Sequence, residues 1–318
     1  MRHTVIDIGT NTILMLIADY DTSSKQITTV LDYQEIPRLG KGVDSNKNIL
    51  PDSIDTACQI LNEYKKTSIN YGSEQITVTA TSFIRDSANK NDFINTVNKK
   101  TKLNVEVLSG EDEARWSFWG GAHSLIKMYK KKPSVLIDIG GGSTEITSTH
   151  HLPSRIDKGI LYKHPVITNS LNIGSVRVKE RYLSSQPPGK EKYKLAEEFI
   201  KNEIDSLKLE VKNGILIGVA GSITTLALLK MRIRVFERNM IEGLDLELES
   251  IENILSELSL MNLDAINSIG DYMKGRSDII LSGILILKTF MNKFGFKKIK
   301  VSTQGLRYGI FLREVIQN

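Results

Sequence analysis

A short segment near the N-terminus returns about half a chain later, and this repetition constrains the fold more than any other feature of the sequence. Val5-Ile6-Asp7-Ile8-Gly9-Thr10-Asn11-Thr12 reappears as Leu136-Ile137-Asp138-Ile139-Gly140-Gly141-Gly142-Ser143-Thr144. Each copy reads as an apolar strand with one aspartate, a turn of small residues, and a second strand. Two such copies point to two similarly built domains facing each other across a cleft.

The remaining pattern alternates strands and helices, an α/β chain. Strand patterns fall at 4–8, 13–19, 26–33, 76–80 and 104–108. Helical spacing begins at Pro51 and recurs over 92–100 and 111–124. After the break Met128-Tyr129-Lys130-Lys131-Lys132-Pro133, strands are expected at 135–139, 145–149, 170–173, 215–219 and 298–302. Helices are expected over 190–207, from 222, around 248–258, over 278–293 and from 306, with a loop at 184–189. With 318 residues the chain can bury two cores. The expected division is 1–124, completed by a C-terminal helix at 304–318, and 125–303.

Composition excludes several classes. Apolar stretches such as 279–287 are too short and too interrupted to span a bilayer, and the first residues run straight into a strand pattern, so a secretory leader is not expected. The single cysteine, Cys58, rules out an internal disulfide or a Cys-based zinc cluster and fits a reducing, cytoplasmic setting. The net charge of +5 mildly favours an anionic partner. Five histidines show no metal-ligand spacing. Lys127, Lys130, Lys131 and Lys132 cluster without interleaved aromatics, so no specific nucleic-acid partner is expected. Beside a phosphate cleft the cluster could still guide a polyanion.

The two turns carry the first chemistry. Small residues let backbone N–H groups approach an anion, and Thr or Ser hydroxyls add donors. If Gly141-Gly142 form a two-residue hairpin turn, Gly140 pairs with Ser143, Ile139 with Thr144 and Asp138 with Glu145. Two carboxylates about 4.5–5.5 Å apart at Cβ repel each other and suit a hard cation such as Mg²⁺. A Glu145 pointing to solvent from an edge strand is an equal reading on the residues alone. In the first copy the same register sets Asp7 against Leu14. Further along, Ser109-Gly110-Glu111-Asp112-Glu113-Ala114-Arg115 holds three acids at a helix start. Capping and the helix dipole explain them without function, and the residues alone favour that. One of them could otherwise activate a water attacking a phosphoryl group. Arg85, just beyond a strand, could clamp a phosphate or pair with Asp86. Gly221-Ser222 leads from a strand into a helix, an anion-accepting terminus or a tight turn.

The ordered motifs resemble the exopolyphosphatase/guanosine pentaphosphatase (Ppx/GppA) family of the sugar kinase/Hsp70/actin superfamily. The resemblance runs nearly end to end, through Asp7-Ile8-Gly9-Thr10-Asn11-Thr12, Arg38-Leu39-Gly40-Lys41-Gly42, Ala80-Thr81-Ser82-Phe83-Ile84-Arg85 and the acidic motif ending at Arg115. It continues through Asp138 to Glu145, Gly221-Ser222, Arg276-Ser277-Asp278 and Val301-Ser302-Thr303-Gln304-Gly305-Leu306-Arg307. It implies two ribonuclease H-like domains with an interdomain cleft and a last helix packing back on the first domain. It implies Mg²⁺-dependent hydrolysis of terminal phosphoanhydrides of polyphosphate or guanosine pentaphosphate. By resemblance Glu113 is the catalytic glutamate, and Asp138 and Glu145 are the metal-associated carboxylates. Gly9, Thr10, Asn11, Gly141, Gly142, Ser143, Gly221, Ser222 and the clamp Arg85 would bind phosphate, and a homodimer is expected. The chain matches a short form without the C-terminal HD-like domain of longer members, so a long polyphosphate channel is not expected. Its acidic motif reads Glu-Asp-Glu where two adjacent glutamates are commoner. A nucleotide-dependent phosphotransferase and a non-catalytic polyphosphate or nucleotide sensor are the alternatives.

Overall fold

The computed structural model describes residues 1–209, 211 and 214–317. Each copy of the repeat forms the first hairpin of a sheet. The first sheet contains β1 (Arg2–Ile8), β2 (Ile13–Asp21), β3 (Gln26–Glu35), β4 (Gln75–Ala80) and β5 (Val105–Val107), ordered β3-β2-β1-β4-β5. The second contains β6 (Ser134–Ile139), β7 (Thr144–Thr149), β8 (Ile167–Leu171), β9 (Ile215–Val219), β10 (Asp245–Glu247) and β11 (Lys298–Val301), ordered β10-β11-β9-β6-β7-β8. In both, three antiparallel strands continue into parallel ones, β4 beside β1 and β9 beside β6. The repeat seen in one hairpin therefore extends through five strands of each sheet, with β10 added antiparallel at the edge of the second, and the two-domain α/β expectation holds.

The helices that matter below are α1 (Pro51–Asn70), α2 (Ser82–Arg85), α3 (Lys90–Thr101), α4 (Gly110–His123), α5 (Ser175–Arg181) and α6 (Lys190–Asp205). They continue with α7 (Gly221–Met231), α8 (Arg238–Ile241), α9 (Leu248–Leu260), α10 (Ile280–Phe294) and α11 (Leu306–Gln317). Pro51 opens α1 at N1, where its missing N–H costs nothing, and Ile54, Ala57, Cys58, Leu61 and Tyr64 form the buried stripe. With α3 this stripe covers one face of the first sheet. Helices α6, α7, α9 and α10 bury their apolar faces in the core of the second domain.

Several elements depart from the sequence pattern, β10, α2 and α8 among them, and two departures adjoin the second turn. The strand expected at 170–173 runs Ile167–Leu171, because Ile173 is buried outside the ladder and its carbonyl accepts the Thr144 hydroxyl at 2.6 Å. Helix α5, absent from the pattern reading, follows at once from Gly174.

A third core joins the domains. Helix α4 lies on β6, β7, β8 and β9, although its residues belong to the 1–124 segment, and α11 lies on β1 and β2. The two helices pack on each other, giving the layers sheet, α11, α4, sheet. Glycines permit that contact. A Cβ on Gly309 would lie 1.8 Å from the Trp116 carbonyl oxygen, and one on Gly120 would lie 2.0 Å from the Gly305 carbonyl oxygen. These obstacles are backbone and cannot rotate away. Gly309→Ala is therefore expected to cost about 3 kcal/mol, read as a lower urea midpoint at unchanged m-value.

Candidate active site

Both turns close with the same bond. The Gly9 N–H donates to the Thr12 carbonyl at 2.9 Å, and the Gly140 N–H donates to the Ser143 carbonyl at 3.0 Å. The ladder below the second turn pairs Ile139 with Thr144 and Asp138 with Glu145, and that below the first pairs Asp7 with Leu14. The turns meet across the cleft, since a Cβ on Gly141 would lie 2.8 Å from Thr10 Cβ.

Helix α5 orients the second turn. The Ser175 N–H donates to the Gly140 carbonyl at 2.9 Å, the Val176 N–H to the Gly141 carbonyl at 2.9 Å, and Arg177 Nε to the Gly142 carbonyl at 2.8 Å. In a trans peptide the C=O and the following N–H point in opposite directions. The amides of Gly141, Gly142 and Ser143 thus face away from α5, as an anion-binding turn requires. Arg177 also ties this turn to the first domain, through Asp44 at 2.8 Å and Asp86 at 3.1 Å.

Between the domains lies a cavity of about 570 Å³. Gly9, Thr10, Asn11, Gly141, Ser143, Gly221 and Ser222 line it together with Glu113 and Asp138. Gly142, Arg85 and Glu145 are set back from its wall. Gly142 packs against Ser82 and Thr10. Arg85 Nη1 bonds Glu113 Oε2 at 2.9 Å and the Leu108 carbonyl at 3.0 Å, so its guanidinium meets the acid and not the cavity. Asp86 is 3.8 Å from Arg85 Nε.

The acidic motif divides by helical phase. Ser109 caps α4, its Oγ accepting from the Asp112 N–H at 3.0 Å, while Glu111 and Asp112 stay exposed. Glu113 alone turns inward, and Ser117, one turn later, donates a hydrogen bond to Asp138. Gly110 lets the start of α4 approach β8, where a Cβ would meet Ser170 Cβ at 2.8 Å. The Ser170 hydroxyl donates to Glu145 Oε1 at 2.9 Å. Glu145 is thus buried under the helix start, not turned to solvent from an edge strand.

Four carboxyls gather here: Asp7, Glu113 and the half-buried Asp138 at the cavity, with Glu145 buried just behind its wall. Burial pushes Asp7 up to about 8, and the Glu113 and Asp138 charges add to it. Burial raises Glu113 to about 7 against the pull of Arg85. Asp138 and Glu145 are raised for the same first reason. Asp7 Oδ1 is buried without a hydrogen-bond partner among the described residues. Opposite them the wall is cationic. Arg276, held to Gln34 Oε1 at 2.6 Å, is pulled down to about 10 by burial, with the Arg307 charge adding. Ala220, before α7, sits at φ 73°, ψ 179°, a region almost reserved for glycine and strained by about 1–3 kcal/mol.

Asp7, Ser117, Arg276 and Arg307 were not candidate site residues on sequence. Asp7 holds the repeat position of Asp138, and Arg276 and Arg307 lie in motifs that carry the family resemblance, whereas Ser117 has no such signal.

Two α/β domains built on one repeat, with paired turns closing over a carboxylate-floored cavity, define a two-domain fold of the actin-like ATPase type. A family model described as the Ppx/GppA phosphatase family matches residues 16–318. The chain belongs to the Ppx/GppA phosphatase family. It is 33% identical over 319 residues to a bifunctional 3-dehydroquinate synthase/phosphatase of Fusobacterium nucleatum, covering 98% of this chain but 46% of that protein. It is 27% identical to exopolyphosphatase 2 of Mycobacterium tuberculosis, covering 98% of each. The solved structure of the Aquifex aeolicus Ppx/GppA family member superposes with a TM-score of 0.80 at 28% identity, covering 100% of this chain and 98% of that one. Among the described residues no helix is long and apolar enough to cross a membrane.

Proposed function

We propose that the chain hydrolyses terminal phosphoanhydride bonds of inorganic polyphosphate or guanosine pentaphosphate with Mg²⁺. The observation that carries this reading is Glu113. It is a buried carboxylate at the cavity, held near neutral pKa and bonded to Arg85, beside two opposed anion-binding turns. Amides of the Gly141–Ser143 turn and the Thr10 hydroxyl would fix the terminal phosphoryl group. Glu113 would accept the proton of an in-line water, and Arg85 would set the orientation and basicity of that carboxylate.

The donor set fits Mg²⁺. The four carboxyls are hard oxygen ligands, and Asp7 Oδ1 is an orphaned buried acceptor. No ready-made cage of three ligand side chains converges among the described residues. Mg²⁺ normally keeps several waters and takes one or two carboxylates plus substrate phosphates. Asp138 and Glu145 would hold it, directly or through water, with Asp7 near by. When bound, the ion neutralises charge developing on the phosphate oxygens.

The test is phosphate release from polyphosphate, guanosine pentaphosphate and ATP, with and without a chelator. Release from either of the first two, abolished by chelation, is expected. ATP-dependent phosphoryl transfer to an acceptor without hydrolysis would replace this reading. Asp138→Asn and Glu145→Gln should each raise the Mg²⁺ concentration giving half-maximal activity. Wild-type Mg²⁺ dependence in both would make the pair structural.

A further inference from the structure

The cationic wall holds one carboxylate that the proposed reaction does not use. Asp32, on β3 of the first domain, places Oδ2 2.9 Å from Arg307 Nη2 and 3.3 Å from Arg238 Nη2. All three residues line the cavity that holds the glycine turns. Arg238, on α8 of the second domain, is fixed independently of Asp32. Its Nε donates to Thr303 Oγ1 at 2.8 Å, and its guanidinium lies 4.7 Å from the Tyr308 ring centroid. Arg307 Nε is buried and without a hydrogen-bond partner among the described residues. With Arg276, three guanidinium groups line the cavity, and Asp32 is the carboxylate paired with two of them.

We infer that Asp32 is a built-in counter-anion, displaced from Arg307 and Arg238 when an oligoanionic phosphate group of the substrate enters the cavity beside them. The inference rests on the phosphoanhydride reading of the same site. The Asp32 side chain keeps 25% of its surface exposed, and ion pairs that retain such water contact are weak. A single carboxylate brings one charge and two oxygens. A chain of phosphates brings several charges and can take both guanidinium groups bidentately, and it satisfies the orphaned Nε. A monophosphate gains too little over Asp32 to displace it. Asp32 thus sets a minimum ligand charge, and the bound phosphate takes over its bridge between the two domains.

Binding of inorganic tripolyphosphate is measured by calorimetry with Mg²⁺ present, in a Glu113→Gln background so that the ligand persists. Adding Asp32→Asn should lower Kd by roughly 3–10-fold, as loss of a partly exposed competing ion pair allows. Arg238→Ala should raise Kd about tenfold, the value of one charge-assisted hydrogen bond. Asp32→Ser, which removes the charge with a smaller side chain, should behave as Asp32→Asn. Unchanged or weaker binding of both tripolyphosphate and guanosine pentaphosphate in the two folded Asp32 variants overturns the inference.

The two sources of the phosphate group separate by ligand. If it is the chain interior, tripolyphosphate and GTP both respond to Asp32→Asn. If it is a 3′-diphosphate, guanosine pentaphosphate responds and GTP does not. An equal response of inorganic monophosphate overturns the charge threshold. Because binding is read, a protein showing this pattern without phosphate release loses the hydrolase reading and keeps this inference. Hydrolysis with affinity indifferent to Asp32 does the reverse.

Discussion

Glu113→Gln is expected to lower turnover by about 10²–10⁴-fold, the usual worth of a positioned general base. The substitution keeps the length and the hydrogen-bonding shape of the side chain but removes its capacity to accept a proton. Folding should survive. Ser109 and Asp112 supply the cap of α4, and Glu113 contributes no side-chain bond to it. Arg85 retains an amide oxygen and the Leu108 carbonyl as acceptors. Substrate affinity should change little, because the turns that hold phosphate are separate from the glutamate. Glu111→Gln is the control. It lies in the same helical turn and alters the same field at the helix start, but its side chain is exposed. Losses of equal size in both variants would show that the acidic cluster acts through the helix or its field, and would remove Glu113 as the base. In the wild type, kcat should rise with pH through about 7, where Glu113 gives up its proton.

That contrast also shows what the sequence could and could not reveal. The Gly141-Gly142 turn allows one favoured register, so the pairing of Asp138 with Glu145 was readable before any coordinates. Whether Glu145 faced water or the interior was not. The answer depends on Ser170 and on the start of α4, which approaches from 35 residues earlier in the chain. The three acids at 111–113 are equally good first-turn residues, and only the position of the second sheet selects Glu113 and, four residues on, Ser117 for the inner face. Arg85 read well as a phosphate clamp because a guanidinium after a strand suits that role, yet its partner here is a carboxylate that local pattern could not bring near. Asp32, Arg276 and Arg307 come from three distant segments, and their convergence is a property of the cleft rather than of any one motif. Helix α5 leaves only a weak apolar period in the sequence, because four of its seven residues are charged.

The metal-free protein is expected to lose stability as pH rises from about 6.5 to 8.5, with a fall in Tm on the order of 5 °C. In the unfolded chain, carboxyls titrate near their model values of 3.8 and 4.5. In the folded chain burial, together with mutual repulsion, moves Asp7 to about 8 and Glu113 to about 7, and raises Glu145 well above its ordinary value. A carboxyl whose folded pKa is raised contributes stability that is complete below its unfolded pKa and is lost as pH climbs through the folded one. Each unit of displacement crossed is worth about 1.4 kcal/mol. Buried His3, His123 and His164 act in the opposite sense, since burial lowers their pKa, but that contribution is complete above their model value of 6.5. The window from 6.5 to 8.5 therefore isolates the carboxyls. Mg²⁺ should restore Tm more at pH 8.5 than at 6.5, because a cation binds the ionised oxygens and competes with their protons. Asp7→Asn should flatten the pH dependence of the metal-free protein and raise its Tm at pH 8.5, having no charge to bury. Thermal melts in a chelator across this range decide the matter. A Tm that holds steady or climbs toward pH 8.5 would mean that the four carboxyls are already compensated within the chain, and the case for a cation on that floor would lose its electrostatic basis.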